Sequence, residues 1–129
     1  SDEEKYLKAV HNKVLNIANN EDAICNGRFY DLMYANPWSE KFDANRIYTF
    51  LRRSKTELIL VVANFDDCNK TVSVKIPAHA FDFLNIEEKT AEGTDLISGK
   101  CIKTDLIKDG EIEINVAMRD AVVLKFKNV

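Results

Sequence analysis

Glycine, cysteine and histidine are scarce in this 129-residue chain, which contains four, three and two of them. Each glycine fits a turn, and no Gly-rich phosphate loop of the G-x-G-x-x-G or Walker type occurs. The cysteines, Cys25, Cys68 and Cys101, are too few and too widely spaced for a disulfide framework. His11 and His79 are 68 positions apart, and both are expected to be structural or surface residues. We therefore expect no metal site and no cofactor.

The chain also lacks an excess of positive charge and any long apolar run. Eighteen Lys and Arg against 21 Asp and Glu give a formal net charge of −3, which argues against a nucleic-acid partner or an anionic membrane. The longest apolar run, residues 58–63, is far short of the roughly 20 residues that span a bilayer. A hydrophobic content of 46% with 30% charged residues predicts one soluble globular domain. The acidic first residues do not have the pattern of a signal segment.

Residues 1–22 have the apolar period of a helix. Ser1 and Glu4 fit a capping box at its start. Four apolar residues follow at spacings of 3, 4 and 3, which places them on one helix face: Leu7, Val10, Val14 and Ile17. We expect this face to pack on another surface. An isolated fragment is expected to self-associate unless the stripe folds onto the rest of the chain.

From Gly27 onward the apolar period is that of strands. Strands are predicted over residues 28–34, 46–53, 57–65, 72–76, 101–107, 112–116 and 121–126, with further short apolar stretches at 81–86 and 95–97. The unbroken run at 58–63 indicates a central strand that is covered on both faces. Asp109-Gly110 is the strongest hairpin signal in the chain. The predicted fold is mainly β: an antiparallel β-sandwich of about eight strands, of Greek-key type, preceded by one N-terminal α-helix.

Carboxylates are the most plausible source of acid–base chemistry, because no G-x-S-x-G or H-E-x-x-H sequence occurs. The closely spaced acidic residues at 66–67, 87–88 and 109–111 all fall in predicted turns or charged loops. Glycoside hydrolysis needs one carboxyl with a raised pKa in a cleft that excludes water. We therefore expect these residues to be solvated, and we expect no catalytic residue in this chain.

Aromatic side chains are the remaining candidates for a binding site. Tyr30, Tyr34, Trp38 and Phe42 lie close together in the first strand and the loop after it. Flat rings pack on the apolar faces of sugars, but large aromatics also fill junctions between elements or domains. Trp38 follows a proline in a loop and is the least typical of a core. Tyr34 and Trp38 are therefore the candidate carbohydrate-binding residues, and filling a junction is the alternative.

Several motifs, taken in order, resemble the C-terminal end of an α-amylase of glycoside hydrolase family 13. Residues 7–15 resemble the last helix of that family's catalytic barrel, and residues 23–32 resemble the step into the all-β domain that follows. Four later stretches resemble strands and a turn of that domain: IYTFLRR at 47–53, LVVANF at 60–65, DLISG at 95–99 and AVVL at 121–124.

The resemblance implies that residues 1–22 are a barrel helix, with Leu7, Val10, Val14 and Ile17 packing on the barrel, and that residues 23–129 are the C-terminal all-β sandwich. The family's catalytic residues lie on a (β/α)₈ barrel of about 250 residues, which has no counterpart here, so none carries over. The implied function is a non-catalytic domain of a retaining α-glucan hydrolase or transglycosylase, packed on the barrel of the same polypeptide and stabilising it. An α-glucan-binding module that uses exposed aromatics is the main alternative, and a stand-alone enzyme with an unrecognised carboxylate pair is another.

Overall fold

The computed structural model of the protein describes residues 28–127. The predicted helix over residues 1–22, with its stripe Leu7, Val10, Val14 and Ile17, lies outside the described residues. The described chain forms eight strands and two short helices: β1 (Arg28–Asp31), a 3₁₀ helix (Met33–Ala35), β2 (Ile47–Arg53), β3 (Glu57–Asn64), β4 (Lys70–Ile76), α1 (Ala78–Leu84), β5 (Lys89–Asp95), β6 (Cys101–Leu106), β7 (Gly110–Val116) and β8 (Asp120–Lys127).

The strands form two sheets, in which all the pairings are antiparallel. The larger sheet has the order β1-β2-β3-β8-β5-β6, and the smaller sheet consists of β4 and β7. Four connections pass between the sheets: β3 to β4, β4 to β5, β6 to β7 and β7 to β8. These crossings are typical of Greek-key sandwiches, so the predicted fold class is confirmed.

The main core lies between the two sheets, and it follows from the alternation of apolar and polar residues along the strands. The inward-facing residues of the small sheet are buried, as the sequence predicts: Val72, Val74, Ile76, Ile112, Ile114 and Val116. They belong to the same apolar cluster as Leu51, Leu60 and Phe126 of the large sheet. Helix α1 contributes Phe81 and Leu84. No helix in the part of the chain that the structure describes is long and apolar enough to cross a bilayer.

The prediction of a central strand buried on both faces is confirmed for β3. Leu58, Leu60 and Val62 face the main core. On the opposite, outer face Ile59 is fully buried and forms a second apolar cluster with Val123 of β8. Two residues after β5, Leu96 and Ile97, pack against that cluster.

Asp95 holds the loop that covers this outer cluster. One carboxylate oxygen, Oδ1, accepts hydrogen bonds of 3.1 Å from the backbone N–H groups of Ile97 and Val123. The other oxygen accepts a bond of 2.7 Å from the Ser98 hydroxyl. Asp95 is itself buried, and because both its oxygens are satisfied it fixes the loop against β8 at little desolvation cost.

The hairpin predicted at Asp109-Gly110 is wrong. The turn is present, and Asp109 has a positive φ of 62°, but β6 lies in the large sheet whereas β7 pairs with β4 in the small one. Strand β7 pairs with β4, and its alternating apolar residues face the core between the sheets. The turn therefore connects a strand of one sheet to a strand of the other. The Asp109 side chain accepts a hydrogen bond of 2.9 Å from the backbone N–H of Ala78, at the start of α1.

Four other local predictions need correction. The first strand ends at Asp31 instead of residue 34, because Met33–Ala35 is a 3₁₀ helix. The apolar stretch at 81–86 belongs mostly to α1. Strand β5 runs from Lys89 to Asp95, where the sequence indicated only a short apolar stretch at residues 95–97. Gly93 is in β5 and not in a turn. Glycine is needed there because a Cβ would lie 2.7 Å from the Phe126 ring.

Buried Asn64 joins the two sheets where β3 leaves the large one. Its side-chain amide donates to three carbonyl oxygens, those of Cys68 at 3.0 Å and of Val116 and Ala117 at 3.3 Å. Its side-chain oxygen accepts a bond of 2.9 Å from the backbone N–H of Asp66. One side chain therefore forms hydrogen bonds with backbone groups both in the turn into β4 and at the end of β7.

We predict that Asn64→Ala lowers the free energy of unfolding by about 2 to 3 kcal/mol, because it leaves several buried backbone groups without partners. Urea unfolding measures this loss. Asn45→Ala is the matched control, since Asn45 is exposed, and it should change stability by no more than about 0.5 kcal/mol. Equal stabilities of the two variants would contradict the role given to Asn64.

Candidate functional site

The connection between β1 and β2 presents Trp38 beside a shallow groove. The Trp38 side chain is 65% exposed, whereas Phe42, four residues later, is buried in the main core. The groove has a volume of about 560 Å³ and is lined by Trp38 together with polar groups of three elements, among them Lys41, Ser73, Lys75 and Glu111. An exposed indole ring beside hydroxyl, ammonium and carboxylate groups is an arrangement that suits a sugar.

Asn36 fixes this connection to the edge of β4. Its side-chain amide donates to the carbonyl oxygens of Leu32 and Lys75, both at 2.9 Å, and its side-chain oxygen accepts a bond of 2.7 Å from the Lys75 N–H. The backbone of Lys41 accepts a further bond of 3.0 Å from the Ser73 N–H. Trp38 therefore lies on a loop that is bonded to the sheet on both sides, so its position is set before any ligand arrives.

Tyr34 belongs to a different cluster from Trp38. Its hydroxyl is hydrogen-bonded to that of buried Tyr30, and the Tyr30 hydroxyl also contacts Nδ1 of His79 at 2.8 Å. The ring of His79 stacks on Phe83, with centroids 6.1 Å apart. The Tyr34 side chain is 63% exposed. Of the four aromatic residues singled out in the sequence, Tyr30 and Phe42 are buried, and Tyr34 and Trp38 present rings on two neighbouring surfaces.

Burial raises the pKa of Tyr30 well above its ordinary value, and the hydrogen bond and charge interaction with Tyr34 raise the pKa further. Both effects favour the neutral phenol, because the phenolate would lose hydration beside a second acidic hydroxyl. Tyr30 is therefore a hydrogen-bonding part of the junction between β1 and α1, and is not poised to lose a proton near neutral pH.

The acidic residues of the part of the chain that the structure describes show no arrangement of the kind that acid–base catalysis needs. Among residues 28–127, no group of three or more His, Cys, Asp or Glu side chains is placed to hold a metal ion. The hydrogen bond from Lys70 is the largest of the effects that lower the pKa of Asp66, whereas a general acid needs a raised pKa. Asp109 accepts from the start of α1, and Glu88 accepts from the Lys108 N–H at 3.3 Å. These carboxylates have structural partners.

A second exposed surface lies on the outer face of the large sheet. Tyr48 and Phe50 of β2 point away from the main core, and the Phe29 ring of β1 lies 5.3 Å from that of Phe50. The Tyr48 and Phe50 rings are 5.7 Å apart. We call these three residues the aromatic strip. Phe29 is 45% and Tyr48 40% exposed, so the strip is a contiguous apolar surface of the kind that marks an interaction site.

Sequence reasoning missed both the Tyr30–His79 junction and the aromatic strip. Tyr30 and His79 are 49 residues apart, and His79 lies on α1, a helix that the sequence pattern does not predict. The strip did carry a signal, because Tyr48 and Phe50 alternate with the inward-facing residues of β2. An exposed sheet face is normally polar, so two aromatics on that face are informative once the inward face is known.

Comparison with protein families shows that the described strands have known counterparts. The family described as "Alpha amylase, C-terminal all-beta domain" matches residues 38–127, which include Trp38 and every strand after β1. Among proteins of curated function, none is significantly similar in sequence.

Solved structures share the fold at low sequence identity. An alpha-amylase from Anoxybacillus superposes with a TM-score of 0.60 at 15% identity, covering 91% of this chain and 21% of its own. A maltogenic alpha-amylase from Thermotoga neapolitana superposes with a TM-score of 0.60 at 18% identity, covering 92% of this chain and 25% of its own. An alpha-amylase from Geobacillus thermoleovorans superposes with a TM-score of 0.57 at 16% identity, covering 83% of this chain and 20% of its own. The chain thus spans a fifth to a quarter of the length of these structures.

We predict that the stability of the protein falls as the pH rises past about 10, the ordinary pKa of tyrosine. Above that pH the unfolded chain loses the Tyr30 proton, whereas the folded chain keeps it until its raised pKa is reached. Urea unfolding between about pH 8 and pH 11 should show a shallower decline for Tyr30→Phe than for the wild type. Tyr48→Phe is the control and should retain the wild-type slope; an unchanged slope in Tyr30→Phe would contradict the prediction.

Proposed function

Because the chain belongs to the family of alpha-amylase C-terminal all-beta domains, we propose that residues 23–129 are the non-catalytic C-terminal domain of a longer glycoside hydrolase that acts on α-glucans. In this proposal residues 1–22 are the last helix of the enzyme's catalytic (β/α)₈ barrel. The sandwich packs on that barrel and stabilises it. The chemistry, whether retaining hydrolysis or transglycosylation, belongs to the barrel and not to this domain.

The observation that carries the proposal is the family match over residues 38–127. The length relation supports it, because the chain corresponds to a fifth to a quarter of each amylase structure that it resembles. A (β/α)₈ barrel of about 250 residues accounts for much of the remaining length of such an enzyme.

The geometry of the described residues supports a scaffold role. Asp66, Glu88 and Asp109, which belong to the closely spaced acidic stretches, have structural partners, and the candidate groove beside Trp38 is shallow. The aromatic strip, by contrast, exposes large apolar rings on a rigid sheet, which suits a surface that packs against another domain. Covering such a surface stabilises both partners through the removal of apolar area from water.

We predict that deleting residues 23–129 from the parent enzyme lowers its Tm by at least about 5 °C. The kcat/KM on a soluble maltooligosaccharide, measured well below both melting temperatures, should stay within about threefold of the intact enzyme because no catalytic group is removed. Calorimetry and steady-state kinetics measure the two quantities.

An immunoblot of the source cells with antibody against this domain tests whether the domain is part of a longer enzyme. It should detect a polypeptide of roughly 400 residues or more, the length of a barrel plus this sandwich. A band near 14.7 kDa would show that the domain occurs alone and would refute the proposal. A barrel that keeps its full Tm without the domain would refute the stabilising role.

A second function, binding of α-glucan, is favoured by one observation. Trp38 is largely exposed, yet Asn36 and Phe42 fix the loop on both sides of it. A ring held in this way can stack on a glucose unit without ordering a flexible loop. Tyr34 offers a further ring on the neighbouring surface.

We predict that glycogen embedded in a native gel retards the protein and that Trp38→Ala weakens the apparent affinity by at least about tenfold. Tyr34→Ala should weaken it less. Phe65→Ala is the matched control, because Phe65 is 66% exposed but lies outside the groove. If the wild type is not retarded, or if Trp38→Ala is retarded as strongly as Phe65→Ala, the binding function is excluded.

A further inference from the structure

Two residues that line the groove beside Trp38 carry opposite charges and do not pair with each other. Lys75 of β4 and Glu111 of β7 are direct partners in the register of the small sheet, where opposite charges normally attract. Within residues 28–127, however, the side chains of both residues form no ion pair and no hydrogen bond, either with each other or with a third residue. The ammonium and the carboxylate are therefore open to a ligand in the groove.

The other polar residues on the outer face of the small sheet have partners within the protein. The Thr71 hydroxyl donates a hydrogen bond of 2.7 Å to Oδ1 of Asn115, its cross-strand partner. The Glu113 carboxylate lies 4.0 Å from the Lys41 ammonium. The charged pair that stays open is therefore the one that lies at the groove, and the same face carries a built-in comparison for it in Glu113.

The backbone holds the open pair close to the Trp38 loop. Asn36 bonds to both backbone groups of Lys75, and Trp38 follows Asn36 by two residues. On the other side of β4, Glu111 is the direct partner of Lys75. The loop, β4 and β7 thus lie side by side and border one groove. A ligand that stacks on the indole is therefore within the same groove as an ammonium and a carboxylate.

The charges that line the groove balance one another. Two are acidic, Glu40 and Glu111, and two are basic, Lys41 and Lys75. An anionic ligand would lie against the carboxylates, and a cationic ligand would lie against the ammonium groups. A neutral sugar meets neither repulsion, because a hydroxyl can donate to a carboxylate and a neighbouring hydroxyl can accept from an ammonium. The lining therefore favours an uncharged sugar.

We propose that Lys75 and Glu111 bind adjacent hydroxyl groups of the glucose unit that stacks on Trp38, and that they restrict the groove to uncharged glucans. Glu111 accepts a hydrogen bond from one hydroxyl, and Lys75 donates to the next. This inference rests on the α-glucan-binding function proposed above and adds the polar half of that site. An ion pair between the two residues would compete with the sugar, so its absence leaves the site preformed.

Retardation of the full 129-residue chain by glycogen in a native gel tests the pair, with each mobility divided by that in a gel without glycogen. We expect Glu111→Gln and Lys75→Met each to weaken the apparent affinity at least about fivefold, because each variant loses a hydrogen bond to a charged group. Glu113→Gln is the matched control. It removes a carboxylate from the same strand and face but outside the groove, and it should keep the wild-type affinity.

Two competitors test the preference for uncharged glucans. We expect maltoheptaose to release the wild type from glycogen at a concentration at least about tenfold lower than sulfated maltoheptaose does. Glu111→Gln should narrow this difference, because the carboxylate that repels a sulfate group is gone. Equal competition by the two sugars, or a difference that Glu111→Gln leaves unchanged, would overturn the charge selectivity. Glu111 is exposed, so this variant should keep the wild-type midpoint of urea unfolding.

Failure of this inference is distinguishable from failure of the proposed function. A wild type that glycogen does not retard would exclude glucan binding and the role of the pair together. Retardation that Trp38→Ala weakens, but that Glu111→Gln and Lys75→Met leave as strong as in Glu113→Gln, would keep glucan binding and overturn the role of the pair. The scaffold role is judged separately, from the Tm of the parent enzyme.

Discussion

The fold depends on how its chain passes between two sheets of unequal size without leaving buried backbone groups unpaired. A sheet of two strands covers a sheet of six, and four connections cross the gap. At the end of β3 the side chain of Asn64 donates to carbonyl groups of the next turn and of β7. Each crossing that interrupts a ladder needs such a substitute. The free edge of β4 needs one as well, and there Asn36 of the connection between β1 and β2 pairs with both backbone groups of Lys75.

The large sheet has two faces with different surroundings: the inner face packs in the core, and the outer face is partly exposed. The inner face is fully engaged with the small sheet and α1, and its alternating residues leave little freedom for binding. The outer face is closed at β8 by the loop that Asp95 holds, and it is open at β1 and β2. The apolar area that remains exposed on this face therefore lies at β1 and β2, where the described chain begins.

The sequence carries most of the strand pattern but little of the three-dimensional pairing. Alternation located β2, β4 and β7, because each has one buried face. It failed for β5, where Lys89, Glu92 and Gly93 weaken any strand signal, and Gly93 is explained only by the Phe126 ring against it. The sequence predicts the turn at Asp109 but not the pairing of the strands on either side of it, since local turn chemistry does not specify which sheet a strand joins. Tyr30 and His79 could not be paired from sequence because their contact depends on α1 packing beside β1.

The exposed aromatic residues differ in how the fold supports them, and this difference separates incidental exposure from function. Phe65 stands alone at the end of β3, and single exposed apolar residues need no explanation. The Phe50 ring contacts those of both Phe29 and Tyr48 on one face of the sheet, so one flat partner can cover all three. Trp38 has no place in the core, yet Asn36 and Phe42 restrain its loop on both sides. A fold that fixes exposed rings in these two ways offers preformed surfaces for partners.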